Sequence, residues 1–311
     1  MTKNNQINYW KDREEKNINA RKKTDKQIAK EIENLYADTL TEIQKEIDGF
    51  LGRYASKEGI SMQDARKRVS EMDVKAFETK AKKYVKEKDF SPQANRELKI
   101  YNLKMKLNRL ELLRSNLLLE LTASSDTLQK IFEEYLSSEA RSEFDRQSGI
   151  LGNVTGDYKS KIDSIVNGSY KNAYFSDRIW GIIQVDLRTT LEKLLLKAIV
   201  QGSNPREIAR QLRKPFDVAK NQAERLARTE LARVQSEVQK QSYTSNKIDK
   251  FVFIREATAC PICKAVSTEP ISIDKFEVGV NVAPIHPNCR CSTAPYFNRD
   301  EFEKYLEGKG L

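Results

Sequence analysis

Apolar residues return along most of this chain at steps of three and four, the period of a helix with one buried stripe. From Lys26 onward Ile28, Ile32, Leu35, Ile43, Ile47 and Phe50 make the first such stripe, weakened at its end by Gly49 and Gly52. Ser61, Met62, Gln63 and Asp64 read as a helix start with an acid at the third position, close to a capping box. Asp73 caps a further short helix carrying Val74, Phe77, Ala81 and Tyr84. Ser91-Pro92 is a cap followed by proline at the first helical position. The helix it opens is the longest expected, with Leu103, Leu107, Leu110, Leu113, Leu117 and Leu121 on one side and further leucines at 112, 118 and 119. A stripe that wide implies burial between two or more helices. Ser124, Ser125 and Asp126 read as a restart, with Leu128, Ile131, Phe132 and Tyr135 following.

The glycines at 149, 152 and 156 mark a hinge or domain boundary. Beyond an aromatic patch (Tyr170, Tyr174, Phe175, Trp180), Leu187, Leu191, Leu194 and Ala198 mark another helix face. Asn204-Pro205 with Glu207 starts the next helix, Pro215 is expected to break it, and residues 218–243 form one more. At Lys250 the period shortens to two: residues 251–254, 270–273 and 276–282 read as three short strands, the last a small hairpin built on Phe276, Val278, Val280 and Val282. Residues 1–25 show no sustained period and read as a loose polar arm, with Tyr9 and Trp10 either packing on the helix that follows or anchoring the arm against a partner. The fold class is therefore mainly α: long helices forming a bundle-like body, with a small C-terminal α+β module. The segments are an arm to 25, a basic helical region at 26–150, a second helical part at 151–247, the β-rich module at 248–297 and a helical tail at 298–311.

Composition narrows the function classes. Charged residues make up 32% of the 311 positions and mean hydropathy is −0.68, and no stretch approaches the apolar length of a membrane span. The first thirty residues contain no apolar core of a signal peptide, which predicts a cytosolic origin. Net charge is +10, and residues 1–110 hold 26 Lys/Arg against 18 Asp/Glu, so most of the excess is N-terminal. The densest basic face is Lys75, Lys80, Lys82, Lys83, Lys86 and Lys88, opposed by Glu78 and Glu87. It suits phosphate or an acidic protein surface without sequence readout, or simply a solvated helix face.

The candidate chemistry is confined to one window. Cys260, Cys263, Cys289 and Cys291 are all the cysteines of the chain, and His286 is its only histidine. A Cys-x-x-Cys turn presents two thiolates to one side, and His286 with Cys289 or Cys291 closes a tetrahedral zinc shell. Two disulfides are the alternative, disfavoured in a cytosolic protein. Four protein ligands leave no open position for water, so the Zn²⁺ is structural rather than catalytic. The deaminase order of His-x-Glu before Pro-Cys-x-x-Cys is missing, and the one imidazole is spent on the metal, leaving none for general base work.

Arg228-Thr229-Glu230 on a helix, the apolar strand at 251–254, Cys260-Pro-Ile-Cys263 and His286-Pro-Asn-Cys289-Arg-Cys291 together resemble the phage head morphogenesis domain of minor head proteins. The resemblance spans roughly residues 150–297. The departure is at Val266-Ser-Thr-Glu269, where family members often carry an Asp-Gly turn. The resemblance implies a structural virion component of a tailed phage, made in the host cytoplasm and present in few copies in the head. It also implies portal, capsid and scaffold proteins as partners, with some members accompanying the DNA. A sequence-nonspecific nucleic-acid binder and a metal-dependent nucleic-acid enzyme are the alternatives. Arg225, Arg228 and Arg233 could meet phosphate, but Glu224, Glu230 and Glu237 on the same helix make ion pairing along it the plainer reading.

Overall fold

The computed structural model describes residues 3–55, 109–152, 158–201 and 205–297, with single positions at 79, 82, 83, 86, 91 and 307. The protein is mainly helical, with a small strand region near the C-terminus, as the periodicity implies. Three helices dominate: α1 (Lys3–Ala55), α2 (Arg109–Leu151) and α6 (Pro205–Ser245). Between the last two lie α3 (Tyr158–Val166), α4 (Phe175–Arg178), a π-helical turn (Ile179–Gln184) and α5 (Val185–Gln201). The C-terminal part holds β1 (Lys250–Ile254), α7 (Pro261–Ala265), β2 (Ile271–Ser272), a 3-10 turn (Ile273–Lys275) and β3 (Ser292–Tyr296). No described helix is long and apolar enough to cross a membrane.

Two compact units divide the chain. The second comprises Lys30–Ile131 and Ser176–Ala223. Its core includes Ile32, Ile43, Ile47, Leu113, Leu117 and Leu191. Tyr36 meets Phe216 edge to face, with centroids 6.1 Å apart. The expected restart at Ser124 does not occur, because the polar residues there are buried in a continuous helix and bonded. Thr39 Oγ1 donates to Ser124 Oγ (2.9 Å), and Asp126 accepts from Ser91 N (3.0 Å) and pairs with Lys130 (3.0 Å). The expected break at Pro215 is also absent. Leu212, Phe216, Ala219 and Ala223 keep one buried stripe through it, and that packing holds the helix across a residue with no N–H to donate. Of the basic face, Lys82, Lys83 and Lys86 are helical and exposed, whereas Lys75, Lys80 and Lys88 lie outside the described residues. So do the helix starts at 61–64 and Asp73, the stripe positions Leu103 and Leu107, and the tail apart from Glu307.

The first unit comprises Met1–Ala29, Phe132–Phe175 and Glu224–Leu311. Residues 3–25, expected as a loose arm, are helical. Gln6, Trp10, Glu14, Ile18 and Asp25 are buried at helical spacing, so the buried stripe exists but is largely polar. Each polar member has a partner far along the chain. Gln6 Nε2 donates to Phe297 O (3.1 Å), Ser292 Oγ donates to Glu14 (2.7 Å), and Arg290 Nη2 donates to Asp25 (2.6 Å). Arg146 joins Glu14 (2.7 Å) to Glu143 (2.7 Å), and Gln239 Nε2 donates to both Glu143 (2.9 Å) and Ser292 (3.0 Å).

β1 is the central strand of an antiparallel sheet ordered β2-β1-β3. Phe251 pairs with Pro295 of β3, an edge strand where a missing N–H is tolerated. The strand expected over 276–282 is instead a tight turn. Gly279 (φ 92°) donates its N–H to Val282 O (2.9 Å), and Asn281 Oδ1 accepts from Glu277 N (3.0 Å). A Cβ at Gly279 would stand 3.3 Å from the Tyr170 ring, so both the backbone conformation and the space call for glycine. The turn residues override the alternating valines, while Phe276 and Val282 still enter a core with Tyr243 and Phe251.

A cysteine–histidine cluster as candidate metal centre

Two loops bring the donors together. Cys260 has the extended backbone of a helix cap, Pro261 follows at the first helical position, and Lys264 N donates to Cys260 O (2.9 Å). That single turn places Cys260 and Cys263 on one side. Arg255 closes its far end by donating to Val266 O (2.6 Å).

The second loop is clamped by Thr229 and Ser236 of α6 and by Tyr170, all within the first unit. Ser236 Oγ donates to Ala283 O (2.7 Å), Tyr170 Oη to Pro284 O (2.8 Å), and Asn288 N to Thr229 Oγ1 (3.1 Å). Asn288 sits at φ 65°, a left-handed conformation that asparagine tolerates better than most residues. Cys289 N then donates back to His286 O (3.1 Å), which turns His286 and Cys289 to the same side.

His286 Nε2 lies 3.1 Å from both Cys260 Sγ and Cys263 Sγ, and Cys263 Sγ lies 3.7 Å from Cys289 Sγ. The donors fall into two groups that share Cys263: Cys260, Cys263 and His286, and Cys263, Cys289 and Cys291, each within 4.8 Å. With zinc–sulfur bonds near 2.3 Å, sulfurs on a tetrahedron stand about 3.8 Å apart, the separation found for Cys263 and Cys289. All four cysteines are free thiols, so the disulfide alternative is not what this arrangement contains. His286 Nδ1 donates to Pro287 O (2.7 Å), since a carbonyl can only accept. That bond fixes the tautomer and leaves the Nε2 lone pair directed at the two sulfurs, the outer-shell device of metal-bound histidines.

The thiols do not ionise equally. Cys289 is pulled down to about 5 by hydrogen bonding from Cys291, against the opposing effect of burial. Cys263 is pushed up to about 12, first by burial and then by the neighbouring Cys289 charge. Cys291 is pushed up by its bond to Cys289 and by burial. Several thiolates cannot share this pocket without a cation, so the cluster suits a divalent metal and its deprotonating chemistry.

Residues 189–294 match the family model of Phage Mu protein F like protein. The match covers 106 of the 311 residues and includes every donor of the cluster. It falls on the stretch whose motifs resemble the phage head morphogenesis domain, a head-related structural family. No curated protein and no solved structure matches the chain.

In the F-like segment, Arg228-Thr229-Glu230 proves to be scaffolding. Arg228 pairs with Glu224 (3.0 Å), the ion pairing along the helix that the sequence favours. Thr229 holds the histidine loop. Glu230 takes Arg233 (2.6 Å), whose other nitrogens donate to Ile165 O (2.7 Å) and Val166 O (2.9 Å), satisfying the end of α3. Sequence reasoning missed Ser236, Tyr170 and Asp25 as supports. Their partners lie far away in sequence, and nothing local signals them.

Proposed function

We propose that the chain is a structural head protein of a tailed phage whose C-terminal module is stapled by one zinc ion. Cys260, Cys263, His286 and Cys289 are its ligands. Cys291 stands outside the shell, its sulfur accepting from Glu256 N (3.5 Å). The observation that carries the reading is the convergence of Cys260 and Cys263 on a pinned His286 Nε2, inside the segment that matches a phage head family. The metal joins the turn after β1 to the loop before β3, across strands of five residues or fewer. Structural zinc contributes on the order of 10 kcal/mol to such small modules. A shell of four protein ligands performs no chemistry, and the single imidazole is committed, so the role is assembly rather than catalysis.

The partners in this reading are portal, capsid and scaffold proteins, met in the host cytoplasm during assembly and retained in the virion. A second, narrower reading is non-specific DNA contact, which the exposed Lys82, Lys83 and Lys86 support. Purified reduced protein should contain about one zinc per chain and copurify with phage heads. A metal content near zero would refute the staple, and absence from heads would refute the assembly role. DNA contact predicts binding that weakens steeply with salt and ignores sequence.

A further inference from the structure

The second unit carries a groove that the metal centre does not use. It lies between α5 and the first half of α6 and has a volume of about 860 Å³. Its apolar lining includes Leu194, Pro215 and Val218, and Val218 is 49% exposed. Its charged groups are Lys193, Arg210 and Lys214 against the single carboxylate of Asp186. Arg210 is spent on Glu207 (2.8 Å), while Lys193 and Lys214 are exposed and form no ion pair among the described residues. Pro215 adds a further feature: it has no N–H, so the Gln211 carbonyl lacks its usual helical donor, and Gln211 borders the same groove.

The geometry points to a docking site for an amphipathic helix of a protein partner, acidic along its flanks. Its apolar side covers Leu194 and Val218, and its Asp or Glu side chains meet Lys193 and Lys214. Helix-in-groove recognition needs this combination of an apolar floor and an oppositely charged rim. A nucleic acid fits it poorly, because phosphates facing Leu194 and Val218 would be dehydrated without a donor. The site rests on the groove's chemistry alone and stands whether or not the chain acts in a phage head.

The test uses the full chain and a fluorescent helical peptide of about 18 residues, roughly 27 Å long, with leucines at i, i+3, i+4 and i+7 and flanking glutamates. Fluorescence anisotropy should show binding that K193E/K214E weakens about tenfold and V218D removes. A lysine-flanked peptide of the same apolar pattern should ignore the native chain and bind K193E/K214E. Metal content and circular dichroism check that each variant is folded, and V218T replaces V218D if the latter is not. Three results would overturn the proposal: no binding up to about 1 mM peptide, equal binding by every variant, or displacement of the peptide by short duplex DNA. Light scattering that shows self-association lost in V218D would put a second copy in the groove and overturn it as well.

Discussion

Cys263 is the donor that both halves of the cluster share, which makes Cys263→Ser the most informative single change. Its sulfur stands 3.1 Å from His286 Nε2 and 3.7 Å from Cys289 Sγ, so its loss removes the vertex common to both donor groups. A serine hydroxyl does not ionise near neutral pH and is a poor zinc ligand. If the whole site is worth about 10 kcal/mol, losing one of four ligands should cost on the order of 3–5 kcal/mol, or about 10²–10⁴ in metal affinity. Competition with a chromogenic chelator reads the affinity, and amide exchange over residues 250–297 reads the module. Protection there should fall in Cys263→Ser and survive in Cys291→Ser, whose sulfur lies outside the proposed shell. Stoichiometric zinc of native affinity in Cys263→Ser would sink the reasoning. Metal retained by Cys289→Ser but lost by Cys291→Ser would move the fourth ligand to Cys291.

Arg233→Met removes the ion pair of two side chains that are 2% exposed or less, and should cost about 3–5 kcal/mol by chemical denaturation. Adding Glu230→Gln should recover part of that loss, and no recovery would argue against the pair as the cause. Asn288→Ala should destabilise by about 1 kcal/mol because of its left-handed backbone, whereas Asn288→Gly should stay close to the native protein. Equal losses in the two variants would point to the Asn288 side chain instead. Burial alone would raise the Glu143 carboxyl, but the Arg146 charge and hydrogen bond, with Arg21, hold it down at about 2. Its folded value lies below the ordinary 4.5, so its contribution is present above pH 4.5 and fades as pH falls towards 2. The loss should reach about 3 kcal/mol, read as the urea midpoint against pH, and Glu143→Gln should flatten it.

Where apolar residues alone mark the buried stripe, the helices are legible in the sequence: Ile28, Ile32, Ile43 and Ile47 lie in the core at their expected spacing. Legibility fails where buried positions are polar. The stripe of residues 6–25 is carried largely by Gln6, Glu14 and Asp25, which look solvated until their partners at Phe297, Ser292 and Arg290 are seen. β3 hides for the same reason, since Ser292 and Thr293 are buried by hydrogen bonds to Glu14 and Gln239 rather than by apolar area. At the cluster, residue type and spacing pick out the five side chains that the fold brings together, because thiols and an imidazole are scarce and their local turns are short. The clamps at Thr229, Ser236 and Tyr170 stay invisible, since a hydroxyl reaching a carbonyl or an amide dozens of residues away leaves no local pattern.

The bonds from Gln6 to Phe297 and from Asp25 to Arg290 have a consequence for biosynthesis. The opening helix leaves the ribosome long before its partners are made, at sequence separations of 291 and 265 residues. Gln6, Asp25 and the Ser292 bond to Glu14 wait for residues 290–297, so the first unit closes as a slow, long-range step. A nascent chain truncated before residue 290 would lack the partners that Gln6 and Asp25 find at Phe297 and Arg290, and would be a natural substrate for holding chaperones.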